Sequence, residues 1–139
     1  MKYYKILRRL KNGHRRSPMT TNNLSLNYKL NCVNKPKIKN SKLFVYIDMY
    51  EATDIYNTFS NKFGLELWRV DCENPKIISG KIIPSFHSIS HFSNKDLSKI
   101  WKIISDTDYD SSELYTFPCL TLMCEVAVCD SLRLEERIK

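Results

Sequence analysis

The chain reads as a single α+β domain, a small mixed sheet with two amphipathic helices packed against it. Three observations predict this. Two stretches, residues 49–63 and 94–105, carry apolar side chains at helical spacing behind a capping residue. Several short runs, near 24–32, 43–47, 65–72, 125–129 and 132–138, have the length and composition of strands. With 139 residues the chain closes one hydrophobic core, and no internal repeat suggests a solenoid.

The opening segment fits two periods. Tyr3, Ile6, Leu7 and Leu10 share a helical face, whereas Tyr4 and Ile6 alternate as in a strand. Asn12-Gly13, Pro18 and a polar run then read as loop. Leu24, Leu26, Tyr28, Leu30 and Cys32 alternate with Ser25, Asn27, Lys29 and Asn31, predicting a half-buried strand. Pro36 keeps the following basic connector extended.

Leu43 to Ile47 is a short apolar run and predicts a buried strand. Asp48 and Glu51 form a capping pair, and Ala52, Ile55, Tyr56, Phe59 and Phe63 make one helical stripe. Gly64 stands where a left-handed residue ends a helix, and Leu65 to Cys72 resumes as strand. Two Ile-Ile pairs around Ser79-Gly80 suggest a loop or short hairpin. Ser93 and Asp96 cap a second helix whose stripe is Leu97, Ile100, Trp101 and Ile104. Two terminal strands follow an acidic loop, with Asp130-Ser131 as a turn or bulge between them. Phe59, Phe63, Ile100 and Trp101 are expected to hold the helices on the sheet.

Charge divides the chain. Residues 1–42 hold twelve lysines and arginines and no aspartate or glutamate, although the whole chain carries 22 basic and 15 acidic residues. The division suggests a basic N-terminal segment, residues 1–42, preceding an α+β core, residues 43–139. Such asymmetry points to a polyanion, or to the acidic side of the same chain or of a protein partner. Arg8, Arg9, Lys11, Arg15 and Arg16 are the candidate phosphate contacts on RNA or DNA, with Tyr3, Tyr4 and Tyr28 nearby to stack on bases. No RNP-like octamer, GXXG loop or zinc-finger spacing accompanies them.

Other chemistry is thinly represented. With three glycines, a phosphate-cradling loop of the P-loop or dinucleotide type is nearly excluded, and no cofactor is expected. Cys119, Cys124 and Cys129, with Cys72 as a fourth thiolate, could ligate zinc, but their spacers are strand-forming and lack knuckle glycines. Buried thiols are the expectation. His87 and His91 lie four apart with no intervening glutamate to act as base. Asp106, Asp108 and Asp110 lack the order of a calcium loop and read as a solvated loop, a natural mate for the basic segment. If Glu136 faces inward beside Leu134 and Ile138, it would pair with a cation or have a raised pKa. No window is long and apolar enough to span a membrane and no export signal is visible, so a cytoplasmic location with reduced cysteines is expected, host cytoplasm if viral.

Tyr4-Lys5, Leu67-Trp68-Arg69-Val70 and Cys129-Asp130-Ser131-Leu132-Arg133-Leu134-Glu135 resemble stretches of a loose class of small phage and prokaryotic α+β proteins of unknown function. The resemblance implies a compact domain from a viral or mobile genome and brings no chemistry with it. The Leu67 to Val70 strand is also similar to one in ADP-ribosyltransferase-like folds, though Glu135 and Glu136 are adjacent where those enzymes carry E-x-E. A transferase of that kind would need His87 and Glu136 in one pocket. The leading expectation is a non-catalytic binding or regulatory protein with a basic surface. A protein-interaction module is the alternative.

Overall fold

Strand β1, Tyr3–Arg9, decides the opening segment in favour of alternation. Tyr4 and Ile6 pack on one face and Lys5 and Leu7 lie on the other, all four buried. The chain returns as β2, Arg15–Arg16, with Arg8 opposite Arg16 and Arg9 opposite Arg15. Gly13 N–H donates to Leu10 O at 2.9 Å in the turn. The computed structural model describes residues 1–18, 26–38, 41–80, 82–84, 89, 91–105, 117, 120–122 and 125–139.

Strand β3 (Leu43–Tyr46), helix α1 (Met49–Thr58) and strand β4 (Leu65–Glu73) follow. Both strands run antiparallel to β1, one on each side of it. They are therefore parallel to each other, and the predicted strand–helix–strand unit is split by β1. Asp48 caps α1, accepting from Tyr50 N–H at 3.3 Å and Glu51 N–H at 3.2 Å.

The helix stops at Thr58 rather than at residue 63 because side chains take its last carbonyls. Thr58 Oγ1 donates to Ile55 O at 2.6 Å, and Lys62 Nζ donates to the carbonyls of Tyr56 and Phe59. Phe59 stays packed beside Ala52, but Phe63 is 69% exposed and not a core residue. Gly64 does take φ +69, for a different reason from the one its place in sequence suggests. Its carbonyl accepts from Arg9 N–H at 2.7 Å, and a Cβ there would lie 2.2 Å from Arg9 O.

The two Ile-Ile pairs do not form one hairpin. Strand β5, Lys76–Ile77, joins the main sheet, and β6, Ile82–Pro84, pairs with β7, Leu120–Leu122, in a separate two-stranded sheet. Helix α2, Asn94–Ser105, spans the expected residues and starts from Ser93, whose Oγ accepts from Asp96 N–H at 3.2 Å. Its stripe of Leu97, Ile100, Trp101 and Ile104 is buried as predicted.

Strands β8, Val126–Cys129, and β9, Ser131–Arg137, close the sheet. Only Asp130 separates them, yet β8 pairs with β3 and β5, and β9 pairs with β4. One register runs through both: Glu73 faces Ser131, Lys76 faces Val128, and Asp130 N–H donates to Glu73 O at 3.0 Å. The path β1, β4, β9–β8, β3 and back to β1 is thus a closed, barrel-like ring of antiparallel pairs. Leu7, Leu43, Val45, Trp68, Val70, Ala127, Cys129, Leu132 and Leu134 fill it. Helix α1 packs on the outer side of β1 and β4, and α2 on the outer side of β3 and β8.

The run predicted as a strand at 24–32 is not one over its described part. Tyr28 makes a single bridge to Arg15 and Asn34 one to Leu132, with Asn31 left-handed between them at φ 59. Asn34 replaces the ladder, accepting from Lys29 N–H at 2.7 Å and donating to Lys29 O at 3.0 Å. The segment crosses from β2 to the free edge of β9 and seats Tyr28, 4% exposed, on the interior cluster. Among the described residues, no helix is long and apolar enough to cross a membrane.

Candidate nucleic-acid interface

The five cations singled out in the sequence all lie on the β1–β2 hairpin, whose β1 runs between β3 and β4 in the sheet. They are not equivalent. Arg8 donates to the carbonyls of Phe63 at 2.6 Å and Asn61 at 2.9 Å, and its guanidinium lies 5.9 Å from the centre of the Phe59 ring. It holds the α1–β4 connection. Arg15 is largely buried, 5.9 Å from the Trp68 ring centre, and donates to Glu66 Oε1 at 2.7 Å.

Glu66 explains that arrangement. It is fully buried on the inner side of β4. Its Oε1 also accepts from Trp68 Nε1 at 2.9 Å, and its Oε2 lies 3.4 Å from Arg137 Nη1 and 4.0 Å from Arg9 Nε. Burial by itself would raise this carboxyl's pKa. The hydrogen bonds from Arg15 and Trp68 and the charges of Arg15 and Arg137 outweigh it and hold the group below the ordinary carboxylate range. One carboxylate thus gathers three arginines and leaves the corner positive.

Lys11 and Arg16 are exposed, and among the described residues their side chains make no ion pair or hydrogen bond. Arg16 lines a groove of about 380 Å³ with Asn12, His14, Arg15, Asn27 and Lys37. This groove shares a lining residue with each of two other depressions, and one of those shares a residue with a third. Leu10 is shared with a depression lined by Arg9, Lys11, Phe63 and Gly64. Lys37 is shared with one lined by Lys5, Ser41 and Lys42, and Lys42 in turn with one lined by Asn74 and Lys76. No aspartate or glutamate among the described residues lines any of the four. Carboxylates stand behind the band, with Glu66 under Arg9 and Arg15 and Asp130 paired to Lys42.

Lys37, Lys5, Ser41 and Phe63 therefore line these depressions although sequence reasoning did not select them, Lys5 and Ser41 as buried residues. Lys37 was visible as one charge in a basic connector, but nothing local says that this connector lies beside the hairpin. Phe63 fits the stripe of α1, and only the early end of that helix exposes it.

Glu136 does not face inward: its side chain is 61% exposed and lies 3.1 Å from Arg69 Nη1, while Glu135 lies 3.3 Å from Arg69 Nε. The register slips between Arg69 and Val70, so Glu135 is an extra residue and both glutamates meet one arginine. His87, Cys119, Cys124, Asp106, Asp108 and Asp110 lie outside the described residues. Cys72 and Cys129 are free thiols on the interior cluster. Their interaction pushes the Cys72 thiol up and holds Cys129 down, with Lys5 also favouring the Cys129 thiolate. Among the described residues no three or more His, Cys, Asp or Glu side chains cluster as metal ligands. Searches of family models, curated proteins and solved structures find no match to this chain.

Proposed function

We propose that this protein binds single-stranded RNA or DNA without catalysis, laying the phosphate backbone along the band from Lys11 and Arg16 through Lys37 towards Lys42. The observation that carries this reading is the series of four adjoining depressions, lined by cations and by no described carboxylate. Lysines and arginines spaced along a groove neutralise successive phosphates and release their counterions. The exposed Phe63 ring, beside Arg9 and Lys11, supplies a face on which an unpaired base stacks. A duplex offers no such base, which favours the single strand.

The structure also says which residues to change. Arg8, Arg9 and Arg15 contact the fold itself, so replacing them confuses binding with stability. Lys11, Arg16 and Lys37 do not. Anisotropy titrations of a labelled single strand at two salt concentrations should show steep salt dependence. In the triple variant Lys11→Gln, Arg16→Gln, Lys37→Gln, the slope of log affinity on log salt should fall by roughly 2, at ~0.7 per lost phosphate contact. Phe63→Ala should weaken binding by about 1–3 kcal/mol without changing that slope. Binding that is absent at low salt, or a triple variant with an unaltered slope, defeats the proposal.

A further inference from the structure

The depression that joins the hairpin groove to Lys42 contains two polar groups that the fold leaves short of partners. Lys5 is 5% exposed. Its ammonium donates to Phe44 O at 2.6 Å and lies 5.4 Å from the centre of the Tyr28 ring. An ammonium has three donors, and no described carboxylate lines this depression. Ser41 is also 5% exposed, lines the same space, and its Oγ has no hydrogen-bond partner. Lys37, exposed, and Lys42, partly exposed and paired with Asp130, line it too.

Two buried donors with two more accessible ammonium groups suit an oxyanion. Size narrows the class. The depression offers only about 20 Å³, room for one water or one phosphate oxygen. A terminal phosphate can insert one oxygen and leave the others facing the outer lysines. An internal phosphodiester carries a sugar on each side and is hindered from doing so. The dianionic monoester also gains more from three lysines than the monoanionic diester does.

We infer that Lys5, Ser41, Lys37 and Lys42 form a seat for a phosphate monoester, taken either as free phosphate or as the terminal phosphate of a strand lying in the basic band. The second source rests on the nucleic-acid reading above. The seat itself does not.

The full chain and its Ser41→Ala variant test this. Because the Ser41 hydroxyl has no partner in the fold, Ser41→Ala should unfold at the same temperature as the parent without ligand. Added inorganic phosphate should raise the parent's unfolding temperature saturably above a chloride control of equal ionic strength. Ser41→Ala should bind it roughly tenfold more weakly, as expected for loss of one hydrogen bond to a charged group. In parallel, one oligonucleotide is compared with a terminal phosphate and with terminal hydroxyls.

A phosphate-end preference of about tenfold, lost in Ser41→Ala, supports the seat with the strand terminus as its source. A saturable phosphate response that Ser41→Ala weakens, without end preference, supports the seat with free phosphate as the ligand. If no oligonucleotide binds in that case, only the nucleic-acid reading falls. A response no larger than that of chloride, or one that Ser41→Ala leaves intact, overturns the seat, even where oligonucleotides still bind the band.

Discussion

Lys5 and Glu66 are the two charges that the sheet takes almost wholly out of water, and it treats them in opposite ways. Glu66 is surrounded by Arg15, Arg9 and Arg137 and by the Trp68 N–H, so its charged form is favoured despite burial. Lys5 meets a carbonyl, an aromatic face and two thiols. Burial dominates and lowers its pKa to about 8, with Cys129 and Cys72 opposing. The unfolded lysine keeps its proton to about pH 10.5, so between about pH 8 and 10 the unfolded state binds more protons and stability rises with pH. Below that window the charged lysine costs about 3 kcal/mol. Lys5→Met should therefore flatten the rise in urea midpoint across about pH 8–10 and be the more stable protein near neutrality. The buried hydroxyls of Tyr28 and Tyr46, both raised, act at higher pH and in the other direction. An equal rise in parent and variant would show that some other group titrates there.

At the scale of elements, local signals were enough where one element meets one surface. Helix α2 was legible end to end, because Ser93 supplies a side-chain cap and the Leu97 to Ile104 stripe has a single face to bury. The stretch at 24–32 shows the limit. Its alternation is real, but Asn34 offers the backbone of Lys29 a nearer partner than any strand. Gly64 was legible as a left-handed residue, but the requirement comes from β1 and not from α1. Its closeness to Arg9 predicts that Gly64→Ala, in urea unfolding, loses about 2–3 kcal/mol, since added bulk meets rigid backbone at positive φ. A loss below about 1 kcal/mol would mean that the hairpin can move away from β4 freely.

At the scale of the molecule, closure links the two helices. Strand β8 sends Ala127 and Cys129 into the ring and Val126 and Val128 towards α2, so neither layer can come apart without it. Trp68 reports on the ring interior and Trp101 on the α2 layer. Variants retaining one tryptophan, Trp68→Phe and Trp101→Phe, should each give a single fluorescence transition. Each midpoint should coincide with that of the same variant measured by backbone circular dichroism. Separate fluorescence and backbone midpoints within either variant would mean that the α2 layer and the ring unfold independently.

The α+β class, both helix starts, strands β3, β4, β8 and β9 and the unbalanced charge of residues 1–42 were determined by the sequence alone. Each depends on spacing along a few residues or on composition. The ring closure, the placing of β1 between β3 and β4, and the joining of Lys37 to the hairpin were decided only by the tertiary structure. They bring together residues far apart in the chain. The same distinction sorts the basic residues. Composition counts twelve of them in residues 1–42, but a buried carboxylate on β4 decides that Arg9 and Arg15 are turned towards the fold while Lys11 and Arg16 stay available to a partner.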